Sequence, residues 1–136
     1  MNFFEARVSI TDGQAELRGD GLALMLSGEK GRALGPYRDR KLMLGIRPEH
    51  LAIGRGDQSD ARAELTARTE VVEVLGSEQH LYLLTGDTSF VARVDAGASV
   101  RVGDSVKLSC AKEHLQLFDP QTERNLFGLS EANAAI

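Results

Sequence analysis

The stretch that decides the fold is Arg62-Ala63-Glu64-Leu65-Thr66-Ala67-Arg68-Thr69-Glu70-Val71-Val72-Glu73-Val74-Leu75. Leu65, Ala67, Thr69 and Val71 share one phase of a two-residue period, and Val72 and Val74 take the opposite phase. Alternation of this kind is the mark of a half-buried strand. The sequence therefore predicts one long strand over 62–75. Its phase switch at Val71-Val72 predicts a bulge, or a strand that changes sheets at a barrel corner. Gly76-Ser77 ends it.

Working outward, short strands separated by turn residues recur on both sides. Phe3 to Ile10 reads as a strand, Thr11-Asp12-Gly13 as a hairpin turn, and Gln14 to Arg18 as the returning strand. Gly19-Asp20-Gly21 turns again before Leu22 to Leu26. Ser27 to Tyr37, with three glycines and a proline, reads as a loop with no helix. Lys41 to Arg47 is a strand stopped by Pro48, which has no N–H for a ladder. Gly54 to Asp60 reads as a flexible loop between sub-structures. Beyond the long strand, Glu78 to Leu84 and Ser89 to Asp95 form a hairpin around Thr85-Gly86-Asp87-Thr88, with Phe90, Ala92 and Val94 on one face. Ser105 to Ala111 and Leu115 to Phe118 complete the set. The Ala-rich tail, residues 130 to 136, is expected to fray or form a short helix. About ten short strands with Gly-Asp turns and minimal helix predict an all-β fold of small barrels or a sandwich.

Composition narrows the function. The chain has 136 residues, 42% of them hydrophobic, a formal net charge of −4 and a pI near 5.4. An acidic balance argues against general nucleic-acid binding. Basic and acidic residues balance at nine each up to Asp60, so the acid excess lies from Ala61 onward. The single cysteine, Cys110, shares the apolar phase of a strand and reads as a buried structural thiol in a reducing, cytosolic setting. The longest apolar runs, such as Leu22 to Leu26, are too short to span a bilayer.

Several strings resemble functional motifs without meeting their requirements. Gly28-Glu29-Lys30-Gly31 has the Lys before a Gly and no following helix, so it lacks the N–H cradle of a phosphate loop. Arg55-Gly56-Asp57 is a coincidental tripeptide. His50, His80 and His114 lie far apart in sequence, without metal-ligand spacing. Glu70 and Glu73 fall on opposite faces of an ideal strand. Arg38, Arg40 and Lys41 with Arg47 form a basic cluster, and alternation places Arg38, Arg40 and Leu42 on one side. That side suits either an anion or a solubilised edge strand. The aromatics, Phe3, Phe4, Tyr37, Tyr82, Phe90, Phe118 and Phe127, are not interleaved with basic residues as a single-strand platform requires.

Three strings in order carry a resemblance. They are Gly45-Ile46-Arg47-Pro48-Glu49-His50-Leu51, then Val71-Val72-Glu73-Val74-Leu75-Gly76-Ser77-Glu78, then Leu115-Gln116-Leu117-Phe118-Asp119 followed by Asn125-Leu126. Together with Met1-Asn2-Phe3-Phe4 they resemble the C-terminal regulatory domain of the ATPase subunit of sugar-type ABC importers, a group that includes the maltose and glycerol-phosphate importer ATPases. The resemblance covers residues 1 to 129. It implies an OB-like β fold with a TOBE segment, built as two small interlocked barrels.

It also implies a non-catalytic domain that homodimerises and steadies an ATPase pair. ATP and Mg would belong to an ATPase domain outside this chain, with no cofactor in the chain itself. Implied partners are a second copy, the ATPase domain, through it the transporter's membrane subunits, and a regulatory protein; nucleic acid is not among them. The implied location is cytoplasmic, peripheral to the inner membrane. On this reading the chain is an excised domain or a separately encoded remnant. Interface and regulatory candidates are Arg47, Glu49, Gly76, Ser77 and Glu78, with the Leu75 to Glu78 loop near a subunit contact. Arg47 and Glu49 are suited to pair or to cap backbone groups at Pro48, and Glu78 to accept from turn N–H groups or reach across an interface. The alternative is a sensor of oxyanions or sugar phosphates, held by backbone N–H groups near Ser77 plus an Arg. Two departures stand out: residues 18 to 41 carry no family motif, and Glu123 occupies a position where a turn Gly is common.

Overall fold

A computed structural model describes residues 1–54, 62–123 and 125–126. The loop expected to continue beyond Gly54, the Arg55-Gly56-Asp57 string, Phe127 and the tail at 130–136 lie outside the described residues. Among the described residues, ten strands form one continuous sheet: β1 (Asn2–Thr11), β2 (Gln14–Gly19), β3 (Leu22–Leu26), β4 (Lys41–Ile46), β5 (Ala52–Ile53), β6 (Arg62–Leu75), β7 (Glu78–Thr85), β8 (Thr88–Asp95), β9 (Ser105–Ala111) and β10 (Gln116–Phe118). The main path runs β10-β4-β1-β2-β3-β6-β7-β8, with β9 pairing both β5 and β6. Every described strand pair is antiparallel.

Alternation builds the core. Phe4, Ala6 and Val8 of β1 point inward, as do Leu22, Leu24 and Leu26 of β3, and Ala63, Leu65, Ala67 and Thr69 of β6. The apolar ones among these join Leu42, Leu44, Ile46, Leu81, Leu83, Leu108 and Leu117 in one contiguous cluster. The bulge predicted in the long strand exists. It comes one residue earlier than the sequence suggested: the register with β7 slips between Thr69 and Val71, leaving Glu70 unpaired. Val71 therefore faces out, while Val72 packs against the core.

Two contacts close the curled sheet. The Asn2 amide treats Val91 as a strand neighbour: Nδ2 donates to the Val91 carbonyl at 2.7 Å, and Oδ1 accepts from its N–H at 3.0 Å. Phe4 meets Phe90 edge-on beneath this pair, with ring centroids 4.9 Å apart. At the other end, the β2–β3 turn docks on the β7–β8 hairpin. Thr85 Oγ1 donates to the Asp20 carbonyl at 2.9 Å, and the Thr66 N–H donates to the Gly21 carbonyl at 2.8 Å. A Cβ on Gly21 would lie 2.6 Å from the Thr66 carbonyl oxygen, so only glycine allows this approach.

Other readings of the sequence are corrected. The segment from Ser27 to Tyr37 is not a plain loop: it holds a short helix α1 (Gly28–Ala33) and a 3-10 turn (Gly35–Tyr37). Gly31 is buried there because a Cβ would press within 2.6 Å of the Leu26 carbonyl oxygen. Leu34, just after the helix, is fully buried. Strand β5 escaped notice because two residues carry no readable period. Leu42 does not share a face with the arginines but is completely buried. Arg40 turns to Gln121 (3.1 Å), Asp119 (3.8 Å) and the Tyr37 ring (5.3 Å).

Glu123 adopts a φ of +60°, which explains why glycine suits its position. Glu123→Gly should raise stability by about 0.5–1 kcal/mol, because it relieves a left-handed backbone while loosening the unfolded chain; urea unfolding measures this. Asn2→Ala should cost about 1–2 kcal/mol, the loss of two bonds at a partly buried sheet edge, read as a lower thermal midpoint with the β-rich circular dichroism unchanged.

Candidate functional site at the hairpin tip

The candidate residues gather at one end of the molecule, from two pieces of chain. The first piece is the exit of β4. Ile46 is the last buried strand residue; Arg47 follows with an extended backbone (ψ 143°) and Pro48 opens a 3-10 turn, Pro48–His50. Proline suits that place, since its fixed φ is helical and its missing N–H is not needed. The turn packs against β8. Arg47 and Glu49 are exposed, and the Arg47 side chain makes no cap hydrogen bond to this turn.

The second piece is the β6–β7 hairpin. Leu75 pairs with Glu78 across the two-residue turn Gly76-Ser77. Gly76 has φ +66°, the geometry required of the first central residue of a type II′ turn. The Ser77 carbonyl accepts from the Ala96 N–H at 3.1 Å. Buried Gln79 secures the same loop: its Nε2 donates to the carbonyls of Asp95 (3.0 Å) and Ala98 (2.7 Å). Glu78 does not bond the N–H groups of its own turn. Its carboxylate instead meets Arg93 Nε at 3.1 Å and His80 Nε2 at 3.7 Å.

Arg93 is the residue the sequence did not single out, and it joins the two pieces. It lies opposite His80 on β8, is paired to Glu78, and is the cation that lowers the Glu49 carboxyl most. The Glu49 carboxyl is held below its ordinary value, first by its own backbone N–H and then by the charges of Arg93, His50 and Arg47; desolvation opposes this. The hairpin register (His80↔Arg93, Glu78↔Leu75) was the available signal. Two of the scattered histidines also meet: the rings of His50 and His114 stack with centroids 4.1 Å apart. They are brought together because β5, just after His50, pairs with β9, just before His114.

The arrangement is a knot of paired charges rather than a receptive pocket, although two buried ring nitrogens, His50 Nδ1 and His80 Nε2, lack a hydrogen bond among the described residues. Arg93 is already paired with the Glu78 carboxylate at 3.1 Å and acts on the charge of Glu49, so an oxyanion drawn to Arg93 would be opposed by both carboxylates. Next to this knot the hairpin exposes apolar side chains: Val71, Val74, Leu75 and Tyr82.

Comparison with known proteins agrees with this architecture. Residues 44–118 match the family model described as TOBE domain, and residues 1–51 match that of the MalK OB fold domain. The multiple sugar-binding transport ATP-binding protein MsmK of Streptococcus mutans is 38% identical over 129 residues, spanning 90% of this chain and 33% of that protein. The sn-glycerol-3-phosphate import ATP-binding protein UgpC of Chromobacterium violaceum is 32% identical over 137 residues, spanning 100% of this chain and 34% of that protein. The chain thus spans about a third of the length of these relatives. A crystal structure of the cytoplasmic molybdate-binding protein ModG with molybdate bound shares the fold, with TM-score 0.64 and 20% identity over 88% of this chain and 96% of that one.

The electrostatic ordering is testable by carboxyl NMR titration. Arg93→Ala should raise the Glu49 midpoint more than Arg47→Ala does. Because the folded value is depressed, the stabilising share of Glu49 is present above the ordinary value of 4.5 and fades as pH falls through the folded one. An equal or reversed effect of the two variants would contradict the placement of Arg93.

Proposed function

The chain belongs to the TOBE domain family, and from that premise we propose that it is a non-catalytic pairing and regulatory domain of the ATP-binding subunit of an ABC importer for sugars or related solutes. The observation that carries this reading is coverage: importer ATP-binding proteins align with nearly all of this chain, while the chain accounts for about a third of them. The role is mechanical. Two ATPase domains must separate and meet in each cycle, and a domain that pairs with its own copy keeps them together through the open phase. A stiff, curled sheet is suited to that, because one contiguous core resists bending.

ATP and Mg would act in the ATPase domain, and this chain's contribution would be to hold and restrain it. Its partners on this reading are a second copy, the ATPase domain and, through it, the membrane subunits at the cytoplasmic face; a regulatory protein is a further candidate. The candidates Arg47, Glu49, Gly76, Ser77 and Glu78 belong to the end of the molecule that faces such partners. The oxyanion or sugar-phosphate sensing alternative draws on the shared fold with ModG. It is weakened by Arg93, whose charge is already met by Glu78 at 3.1 Å.

Sedimentation equilibrium of the chain at high micromolar concentration should give a dimer. Calorimetry with molybdate, sulfate and glycerol 3-phosphate should give no binding heat. A strict monomer would remove the pairing role, and a saturable heat with any of these anions would favour the sensing alternative.

A further inference from the structure

Among the described residues, the long strand β6 ends with one edge unpaired. Its first half is flanked on both sides: β9 pairs residues 62 to 68, and β3 meets Leu65 and Glu64. Thr69 is still covered, because its N–H donates to the Asp104 carbonyl at 2.8 Å and its carbonyl accepts from the Gly103 N–H at 2.7 Å. Past the bulge at Glu70, only β7 remains as a neighbour among the described residues.

The register says which backbone groups are left over. Val91 turns its N–H and carbonyl to Asn2, away from β7. In an antiparallel ladder the groups alternate, so Tyr82, opposite Val91, directs its own groups to β6, where it faces Val71. Val71, Glu73 and Leu75 thus bond β7, whereas Val72 and Val74 direct their N–H and carbonyl groups outward with no partner among the described residues.

This edge is thinly protected among the described residues. Natural edges are blunted by lysine, proline, bulges, charges or a covering segment; here, past the bulge at Glu70, Val71-Val72-Glu73-Val74-Leu75 has one charge and four apolar residues of five, three of them valine. Val74 is 65% exposed, Val71 50% and Leu75 45%. Val102, also 65% exposed, adjoins the same edge through Gly103, which bonds Thr69. The two most exposed large apolar side chains of the described molecule therefore flank one set of unpaired backbone groups.

We infer that this edge takes a second copy of the same strand, antiparallel, about a two-fold axis at Val74. The proposal rests on the pairing role argued above and assigns it a surface. Charge chooses the register. A two-fold axis at Glu73 would set two carboxylates directly opposite each other, which is destabilising. An axis at Val74 sets valine against valine and Glu73 against Leu75 of the other copy. It also lets the Val74 N–H and carbonyl bond the Val74 carbonyl and N–H of the other copy. Gly76, which then faces Val72 across the join, has open space where a side chain would stand. The hairpin tip with Ser77 and Glu78 would flank the contact.

The test is sedimentation equilibrium of the chain beside its Val74→Lys variant, with oxidative cross-linking of Val74→Cys and Glu73→Cys; native Cys110 is buried and does not compete. The expected result is a wild-type dimer, a folded V74K whose dimer dissociation constant rises by about a hundredfold or more, and efficient cross-linking of V74C but not E73C. V74K keeps every internal hydrogen bond of β6, so its circular dichroism should match the wild type, and so should its thermal melt at concentrations low enough for the wild type to be monomeric. A wild-type dimer with V74K equally dimeric and V74C not cross-linked overturns this edge while leaving pairing intact elsewhere. Cross-linking of E73C alone overturns the register. A wild-type monomer overturns the pairing role itself, and with it the second copy as occupant, leaving a strand from a different chain.

Discussion

A fourteen-residue strand does not fit inside a molecule of this size. At about 3.3 Å per residue, β6 is roughly 45 Å long. A chain of 136 residues folds to a globule with a radius of gyration of about 14 Å. The strand must therefore leave the core before it ends. The bulge at Glu70 is how it does so: one unpaired residue inverts the faces, so that Ala63, Leu65, Ala67 and Thr69 line the core while Val71 turns outward. The rest follows from this. The first half of β6 is shared among β3, β9 and β7 and ties the sheet together. The second half is an arm held by β7 and β8, and the candidate residues Gly76, Ser77 and Glu78 are its tip.

Much of that arm was legible in sequence, because local pattern determines it. The bounds of β6, the Gly76-Ser77 turn and the existence of a bulge all follow from periodicity and turn chemistry. The bulge was placed one residue late because Val71 continues the alternation of Leu65 and Ala67, and only the pairing with Tyr82 reveals the slip. Features that depend on partners distant in the chain were not legible. Asn2 and Val91 are 89 residues apart, and nothing near either announces a bond. Arg93 looked like any outward strand residue until β8 brought it to Glu78 and the β4 exit brought Glu49. Helix α1 was hidden by its own glycines, which read as breakers although one of them serves packing against Leu26.

The same distinction separates fold from function. The three family strings sit where the backbone is most constrained: the Pro48 turn, the bulged arm, and β10 with its return at Asn125, which bridges Phe118. These are structural necessities, and so they report kinship more clearly than activity. What the chain does depends on surfaces whose chemistry is spread over β6, β7, β8 and the β4 exit. Neutralised charge around Arg93 beside uncovered valines describes a surface for protein contact more than a vessel for a small ion.

The buried thiol of Cys110 carries a last consequence. It lies on β9, fully enclosed, between β5 and the first half of β6. A thiol reagent can reach it only when those strands part. As the only cysteine in the chain, it makes the molecule its own clock: the rate at which Cys110 is alkylated counts openings of the central strands. Because β9 is paired by β5 and the first half of β6, that clock reports the lifetime of the core rather than the traffic at the arm beyond Glu70.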